Sequence, residues 1–252
     1  MNVDLDSIAF SSGDSSTDIR YRRFSADIST AMSVLAQQWR DDLGVLGISN
    51  KAGPYLHWVL SCAATALKIP TLAMRAEQSI YHDIVVAGPI DLARPGLNIL
   101  FDHAMLAEMS SVVDDGGQGF NAFASALIRN PAVINRVILT SGSTGTHKAV
   151  PITNEILLRR KTSYLERVDL AGRDYALATV GYDTAGGYCY PIYALLTGAC
   201  VVINRSSPTQ SVDFSQLLSR LVAQSAYLYT TPAVLREILR ISNGEIMPGR
   251  AT

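Results

Sequence analysis

The segment 140–148 reads TSGSTGTHK and lies directly after a run of β-branched and apolar residues. Gly142 and Gly145 allow positive φ and close backbone approach, so successive N–H groups there can point at one anion. Thr140, Ser141, Ser143, Thr144 and Thr146 add hydroxyl donors, and Lys148 adds a full positive charge. Such a set can hold a polyphosphate and spread the charge of one that departs. On composition alone a solvated turn is the plain alternative, because Gly, Ser and Thr are ordinary loop residues. Two familiar loops are excluded. The Walker A pattern fails, with His147 where its second Gly belongs and Ala149 after the lysine. The dinucleotide pattern G-x-G-x-x-G is absent, and "GGQG" at 116–119 does not supply it.

The elements that must position this loop follow from the apolar pattern. Strands are expected at 45–49, 70–74, 83–88, 98–102, 136–140, 175–180, 199–203 and 226–230. Between them, helices are expected at 55–69, 103–113 and 154–168, and near 185–197, 211–224 and 233–242. Strands that are continuous apolar runs separated by helices indicate mainly parallel sheets covered on both faces, a doubly wound α/β architecture. Residues 1–20, rich in Ser, Asp and Gly, read as a flexible leader, and "DDGGQG" at 114–119 as a flexible connector. A subdomain break is expected near 114–135 within a domain covering 21–252.

Composition narrows the function classes. The chain has 252 residues, enough to bury a sizeable core. With 48% hydrophobic and 17% charged residues it reads as a folded globular protein rather than a disordered one. A formal net charge of −1 argues against nucleic-acid binding, which needs a basic surface. Cys62, Cys189 and Cys200 lack metal-type spacing and read as buried thiols in a reducing compartment. The N-terminus is acidic and Ser-rich before its first basic cluster, the reverse of a signal peptide, so a cytoplasmic location is expected. The most apolar stretches, 54–67 and 189–203, fall short of the ~20 residues that span a bilayer, and no membrane association is expected.

The stretch "LTSGSTGTHKAV" (139–150) resembles the phosphate-binding signature of the adenylate-forming enzymes. That superfamily comprises acyl-CoA synthetases, nonribosomal peptide synthetase adenylation domains and luciferases. Against the pattern T-S-G-[ST]-T-G-x-P-K-G-V the match covers Thr140, Ser141, Gly142, Ser143, Thr144, Gly145, Lys148 and Val150, with departures at His147 and Ala149. "ITNEIL" (152–157), "YDTAGGYCYPIYALLTGACVVI" (182–203) and "YLYTTPAVLREIL" (227–239) are similar to the segments that follow in the family. The family's usual His is missing near Tyr182 and Asp183. "LGVLGISNKAGPYLHWVLSCAATALKIPTLAM" (43–74) is similar to its N-terminal β-α-β.

The resemblance implies the N-terminal part of the family's large domain, with ATP and Mg²⁺ as cofactors of the complete enzyme. It implies an ATP-dependent acid:thiol ligase that forms an acyl-adenylate and then passes the acyl group to a thiol, on CoA or on a carrier protein. The partner is a small-molecule carboxylic acid. Thr140, Ser141, Gly142, Ser143, Thr144, Gly145 and Lys148 would hold the phosphates, and Tyr182, Asp183 and Tyr188 are candidates for the acyl pocket. The family's Tyr-Gly-x-Thr-Glu segment, its ribose-binding Asp and the lysine of its C-terminal domain do not occur here. The C-terminal domain is therefore expected to be absent, the chain inactive alone, and the uncovered face prone to self-association. No catalytic residue and no metal ligand is assigned within the chain. A noncatalytic relative that binds a nucleotide or a partner shares the same fold. An unrelated phosphate-binding α/β protein is the third reading; a loop that did not join a strand to a second strand near a nucleotide-sized cleft would make the resemblance accidental.

The remaining polar residues are read as structure. Tyr182, Tyr188, Tyr190 and Tyr193 seat an aromatic or cyclic acid, or pack as core. Asp183 accepts a substrate hydrogen bond or caps the helix that follows. His57 on an apolar helix reads as a hydrogen-bonded core histidine. Asp102 and His103 diverge from a strand, His82 reads as exposed, and His147 as a turn residue within reach of phosphate. "RRK" (159–161) reads as a solvated helix face.

Overall fold

The computed structural model describes residues 3–11, 18–39, 44–49, 52–74, 84–87, 98–99, 104, 106, 114–140, 148–167, 175–178, 180–203 and 226–242. The chain divides into two compact units, Tyr21–Leu158 with Met1, and Asn2–Arg20 with Arg159–Thr252.

The first unit holds a six-stranded sheet. Its strands are β3 (Val45–Ser49), β4 (Thr71–Met74), β5 (Ile84–Ala87), β6 (Asn98–Ile99), β7 (Ile134–Thr140) and β8 (Lys148–Thr153), in spatial order β6-β5-β3-β4-β7-β8. All neighbours are parallel except β7 and β8. In β4 every residue is buried, and in β3 all but the first, as expected of parallel strands covered on both faces. Helices α1 (Tyr21–Gln38), α2 (Gly53–Ala66) and α3 (Gln118–Arg129) pack on one another, and α2 lies against β3 and β4. The helix expected to run to residue 69 ends at Ala66, because Lys68 turns into the left-handed region at φ 64°.

The connector expected at 114–119 is instead a turn and the first residues of α3. Asp115 organises it. Its Oδ2 accepts from Ser25 Oγ (3.0 Å), Ser29 Oγ (2.6 Å) and the Gly119 amide (2.8 Å), and its Oδ1 from the Gly117 amide (2.9 Å). One carboxylate thus satisfies orphan donors at the start of α3 and ties them to two serines of α1.

The second unit holds a five-stranded sheet. It contains β1 (Ile8–Ser11), β2 (Ile19–Arg20), β9 (Tyr175–Ala178), β10 (Cys200–Val202) and β11 (Ala226–Tyr229), in order β11-β9-β10-β1-β2. Within 1–20, expected as a flexible leader, Ile8–Ser11 and Ile19–Arg20 are strands of this sheet. Phe10 of β1 pairs in parallel with Val201 of β10 and is buried. Helices α4 (Asn154–Leu165), α5 (Ala185–Thr197) and α6 (Pro232–Ile241) complete the described elements, and the chain passes from the first unit to the second within α4. The helix expected at 211–224 lies outside the described residues, as does most of the one at 103–113, of which Ala104 and Leu106 are helical. No helix among the described residues is long and apolar enough to cross a membrane. The three cysteines are buried thiols outside any disulfide.

Candidate functional site

The hairpin of β7 and β8 carries the signature residues. Its register runs from Ile134↔Thr153 to Thr140↔Lys148, so the two ends of the loop are directly opposed partners. Both are exposed, and the Thr140 hydroxyl donates to the Lys148 carbonyl at 3.4 Å. Ser141, Gly142, Ser143, Thr144, Gly145 and His147 lie outside the described residues. The chain thus leaves one strand and returns on its neighbour, with Thr140 and Lys148 as paired residues at the exit. β8 is an edge strand with Lys148, Ala149, Val150 and Pro151 exposed, and a proline is tolerated at such an edge. Sequence reasoning missed β8, since four exposed residues and a proline leave no period to detect.

The other end of β7 is anchored by buried polar groups that the sequence reading did not find. Asn135 Nδ2 donates to Thr65 Oγ1 and to Asn154 Oδ1, each at 3.0 Å, and Asn154 Nδ2 donates to the Asn130 carbonyl at 2.9 Å. These bonds join the first strand of the hairpin to α2 and to the start of α4. Arg136, fully buried, donates from Nη1 to Thr71 Oγ1 and from Nη2 to His57 Nε2, both at 3.2 Å. The only warning in the sequence was two polar residues opening an otherwise apolar strand.

His57 is the buried, hydrogen-bonded histidine expected of it. Burial first, and then the Arg136 charge, hold its pKa well below the usual 6.5. The ring is neutral, and the bond from Arg136 requires Nε2 as acceptor and the proton on Nδ1. Above pH 6.5 the ring is neutral both folded and unfolded and contributes nothing to the pH dependence. Below it the unfolded chain binds a proton that the folded chain refuses, so stability falls as pH falls, by up to ~1.4 kcal/mol per pH unit from this group. Urea midpoints of the native chain and of His57→Gln at pH 7 and pH 5 check this. The substitution is expected to flatten the acid slope, and equal slopes would remove His57 from the account.

In the second unit the acyl-pocket candidates surround the start of α5. Tyr182 and Asp183 are half-buried, and Tyr188 is fully buried. Asp183 is not the helix cap. Thr184 is, its Oγ1 accepting from the Gly187 amide at 3.0 Å and donating to the Gly181 carbonyl at 2.8 Å. Tyr190 and Tyr193 of α5 join three tyrosines that sequence reasoning passed over: Tyr164 of α4, and Tyr227 and Tyr229 of β11. Ring centroids lie 4.5 Å apart for Tyr164–Tyr190, 5.6 Å for Tyr164–Tyr227, and 3.8 Å for Tyr190–Tyr229. The spacing of Tyr227 and Tyr229, two apart on a strand, was the signal available. Arg159 and Arg160 are exposed as expected, whereas Lys161 is half-buried and its pKa is lowered by that burial. His82, His103 and Asp102 lie outside the described residues.

No family model matches the chain, and no curated protein matches it. Solved structures do match. Over 95% of this chain, ATP-bound MatB from Rhodopseudomonas palustris superposes with a TM-score of 0.68 at 15% identity. The Klebsiella oxytoca NpsA N-terminal subdomain in complex with 3-hydroxyanthranilyl-AMSN gives 0.70 at 16% identity, again over 95% of this chain. The inhibitor-bound N-terminal domain of FACL13 from Mycobacterium tuberculosis gives 0.71 at 14% identity over 96%. The shares of those chains covered are 49%, 59% and 63%, so this chain spans about half the length of MatB. At such identities the likeness is one of fold: the chain has the fold of the N-terminal portion of the adenylate-forming enzymes.

Proposed function

We propose that the chain is the N-terminal portion of an ATP-dependent carboxylic-acid adenylating enzyme. The observation that carries this reading is the signature loop on an antiparallel pair, with Thr140 opposite Lys148, in a fold shared with a protein solved with ATP bound. Thr140, Ser141, Gly142, Ser143, Thr144, Gly145 and Lys148 would hold the outer phosphates of ATP. Mg²⁺, if bound with the triphosphate, would supply charge that offsets its oxygens. A carboxylate oxygen of the acid attacks the α-phosphorus, and the bond from that phosphorus to the β-phosphate oxygen breaks. Pyrophosphate leaves with the electron pair, stabilised by the ammonium and loop amides. A thiol, on CoA or a carrier protein, then attacks the acyl carbon and AMP departs.

Tyr182, Asp183 and Tyr188 remain the proposed lining of the acyl pocket. The other groups the reaction needs belong to family segments that these 252 residues do not contain, so the chain is proposed not to catalyse alone. A cytoplasmic location is part of the same reading. So is self-association through the face that the missing segments would cover. The test is ATP–pyrophosphate exchange across a panel of carboxylic acids. Exchange that depends on one class of acid is expected from the full native polypeptide carrying those segments, and none from residues 1–252. Exchange indifferent to acid, or absent from a polypeptide that has every family segment, would reject the adenylating reading.

A further inference from the structure

Strand β8 has little in its own sequence to hold it in one register. Of its six residues, Lys148 to Pro151 are exposed and Ile152 alone is buried, so no alternation of apolar side chains pins it. A strand of that kind slips readily, and a slip of one residue turns every side chain to the other face. The pairing of the hairpin changes once along its length. Ile134 stands opposite Thr153 but Arg136 opposite Ile152, so Asn135 is an extra residue on β7, a bulge. Carried on from Ile134 without it, the pairing would put Lys148 opposite Leu139 instead of Thr140.

Buried groups from four elements hold that bulge. Besides the bonds from its side chain to Thr65 of α2 and Asn154 of α4, the Asn135 carbonyl accepts from Thr71 Oγ1 of β4 at 3.1 Å. Thr65 Oγ1 donates to the Ser61 carbonyl at 2.8 Å and so presents a lone pair to Asn135. Asn154, the first residue after β8, donates its amide to the Val133 carbonyl at 3.0 Å, which ties the end of β8 to the start of β7. Thr65, Thr71, Asn135 and Asn154 are all buried, where a polar group left unmet costs more than a bond gains.

We propose that Asn135 and Asn154 are positioning residues for the anion site: the bulge they hold sets the register that brings Lys148 opposite Thr140. The inference rests on the adenylating reading only in taking the ligand to be a polyphosphate. Both residues act through the strands from the buried end of the hairpin. A slipped hairpin carries the same loop with Lys148 turned to the other face, so apparent affinity falls with the fraction of molecules in the native register.

Calorimetric titration of pyrophosphate into the 252-residue chain tests this, with backbone NOE spectra of isotope-labelled samples reading the register. Asn135→Ala and Asn154→Ala are each expected to weaken binding about tenfold, and the double variant hardly more, because the two act as one clamp. In each, the NOE between Thr140 and Lys148 is expected to weaken while one between Leu139 and Lys148 appears. Asn154→His, whose ring offers one nitrogen as acceptor and one as donor, is expected to recover part of the affinity. Thr65→Val, similar in shape but lacking the acceptor for Asn135, is expected to weaken binding about threefold, and it carries the test where an alanine variant does not fold. Leu35→Ala is the control for lost stability. It opens a cavity beside α1, which gives no residue to this network, and is expected to lower the melting temperature while pyrophosphate affinity holds. Native affinity in every clamp variant that folds, or equal weakening in Leu35→Ala, would overturn the proposal. No pyrophosphate binding by the native chain, with the Thr140–Lys148 NOE lost in the variants, would leave the register inference standing and remove the phosphate reading. Tight binding with that NOE unmoved in every variant would do the reverse.

Discussion

In a full polypeptide that carries the remaining family segments, Lys148→Ala is expected to lower kcat/KM for ATP in pyrophosphate exchange by about 10²-fold, with KM for the acid nearly unchanged. The lysine ends the loop, exposed at the first residue of β8 and opposite Thr140. Its ammonium at ~4 Å from a phosphate oxygen is worth about 4 kcal/mol at an effective dielectric near 20. A single loop amide or hydroxyl contributes nearer 1 kcal/mol net, so the charge dominates. Exposure discounts the figure through solvent screening, which is why the expected loss is ~3 kcal/mol and not more. Lys148→Arg keeps the charge and is expected to recover part of the rate. Unchanged ATP dependence in Lys148→Ala would take the lysine out of phosphate binding.

Gly119→Ala is expected to destabilise the first unit by about 2–3 kcal/mol, at the upper end of what overpacking costs. An added Cβ would stand 2.2 Å from the Ser25 carbonyl oxygen and 2.8 Å from the Ser29 amide nitrogen. Both obstacles are backbone of α1 and cannot rotate away. Alanine's better helix propensity returns at most ~1 kcal/mol, and the clash also threatens the Gly119 amide bond to Asp115. Gly116 is the control. Its φ of +61° disfavours a side chain, but nothing lies within 4 Å, so Gly116→Ala is expected to cost only ~1 kcal/mol. Urea midpoints at constant m-value separate the two, and a Gly119→Ala midpoint equal to the native one would contradict the tight contact of α1 with α3.

How far the sequence disclosed this architecture depended on burial. The inner strands β3 and β4 were readable at 45–49 and 70–74 because both faces are covered, leaving unbroken apolar runs. The same reasoning failed for β8, an exposed edge, and for β1, four residues set among Ser and Asp whose partner β10 lies far along the chain. Helix α1 was hidden because Ser25 and Asp27 occupy buried positions, where Asp115 and Tyr55 accept or donate their hydrogen bonds. α3 begins behind "DGGQG", whose glycines suggest a linker until the Asp115 bonds are known. The loop stands out in the sequence because its proposed chemistry is local, nine consecutive residues. The Arg136–His57 contact and the tyrosine cluster are assembled from distant segments, and no single stretch of sequence contains them.

The central claim, that the β7–β8 hairpin holds the phosphates of ATP, meets its most direct test in equilibrium binding to the 252-residue chain itself. Pyrophosphate and ATP would each be titrated calorimetrically into the native chain and into Lys148→Ala. The account predicts one saturable site for either ligand in the native chain, competitive between the two and lost in the variant. No saturable binding of either, or binding by Lys148→Ala as tight as by the native chain, would contradict it.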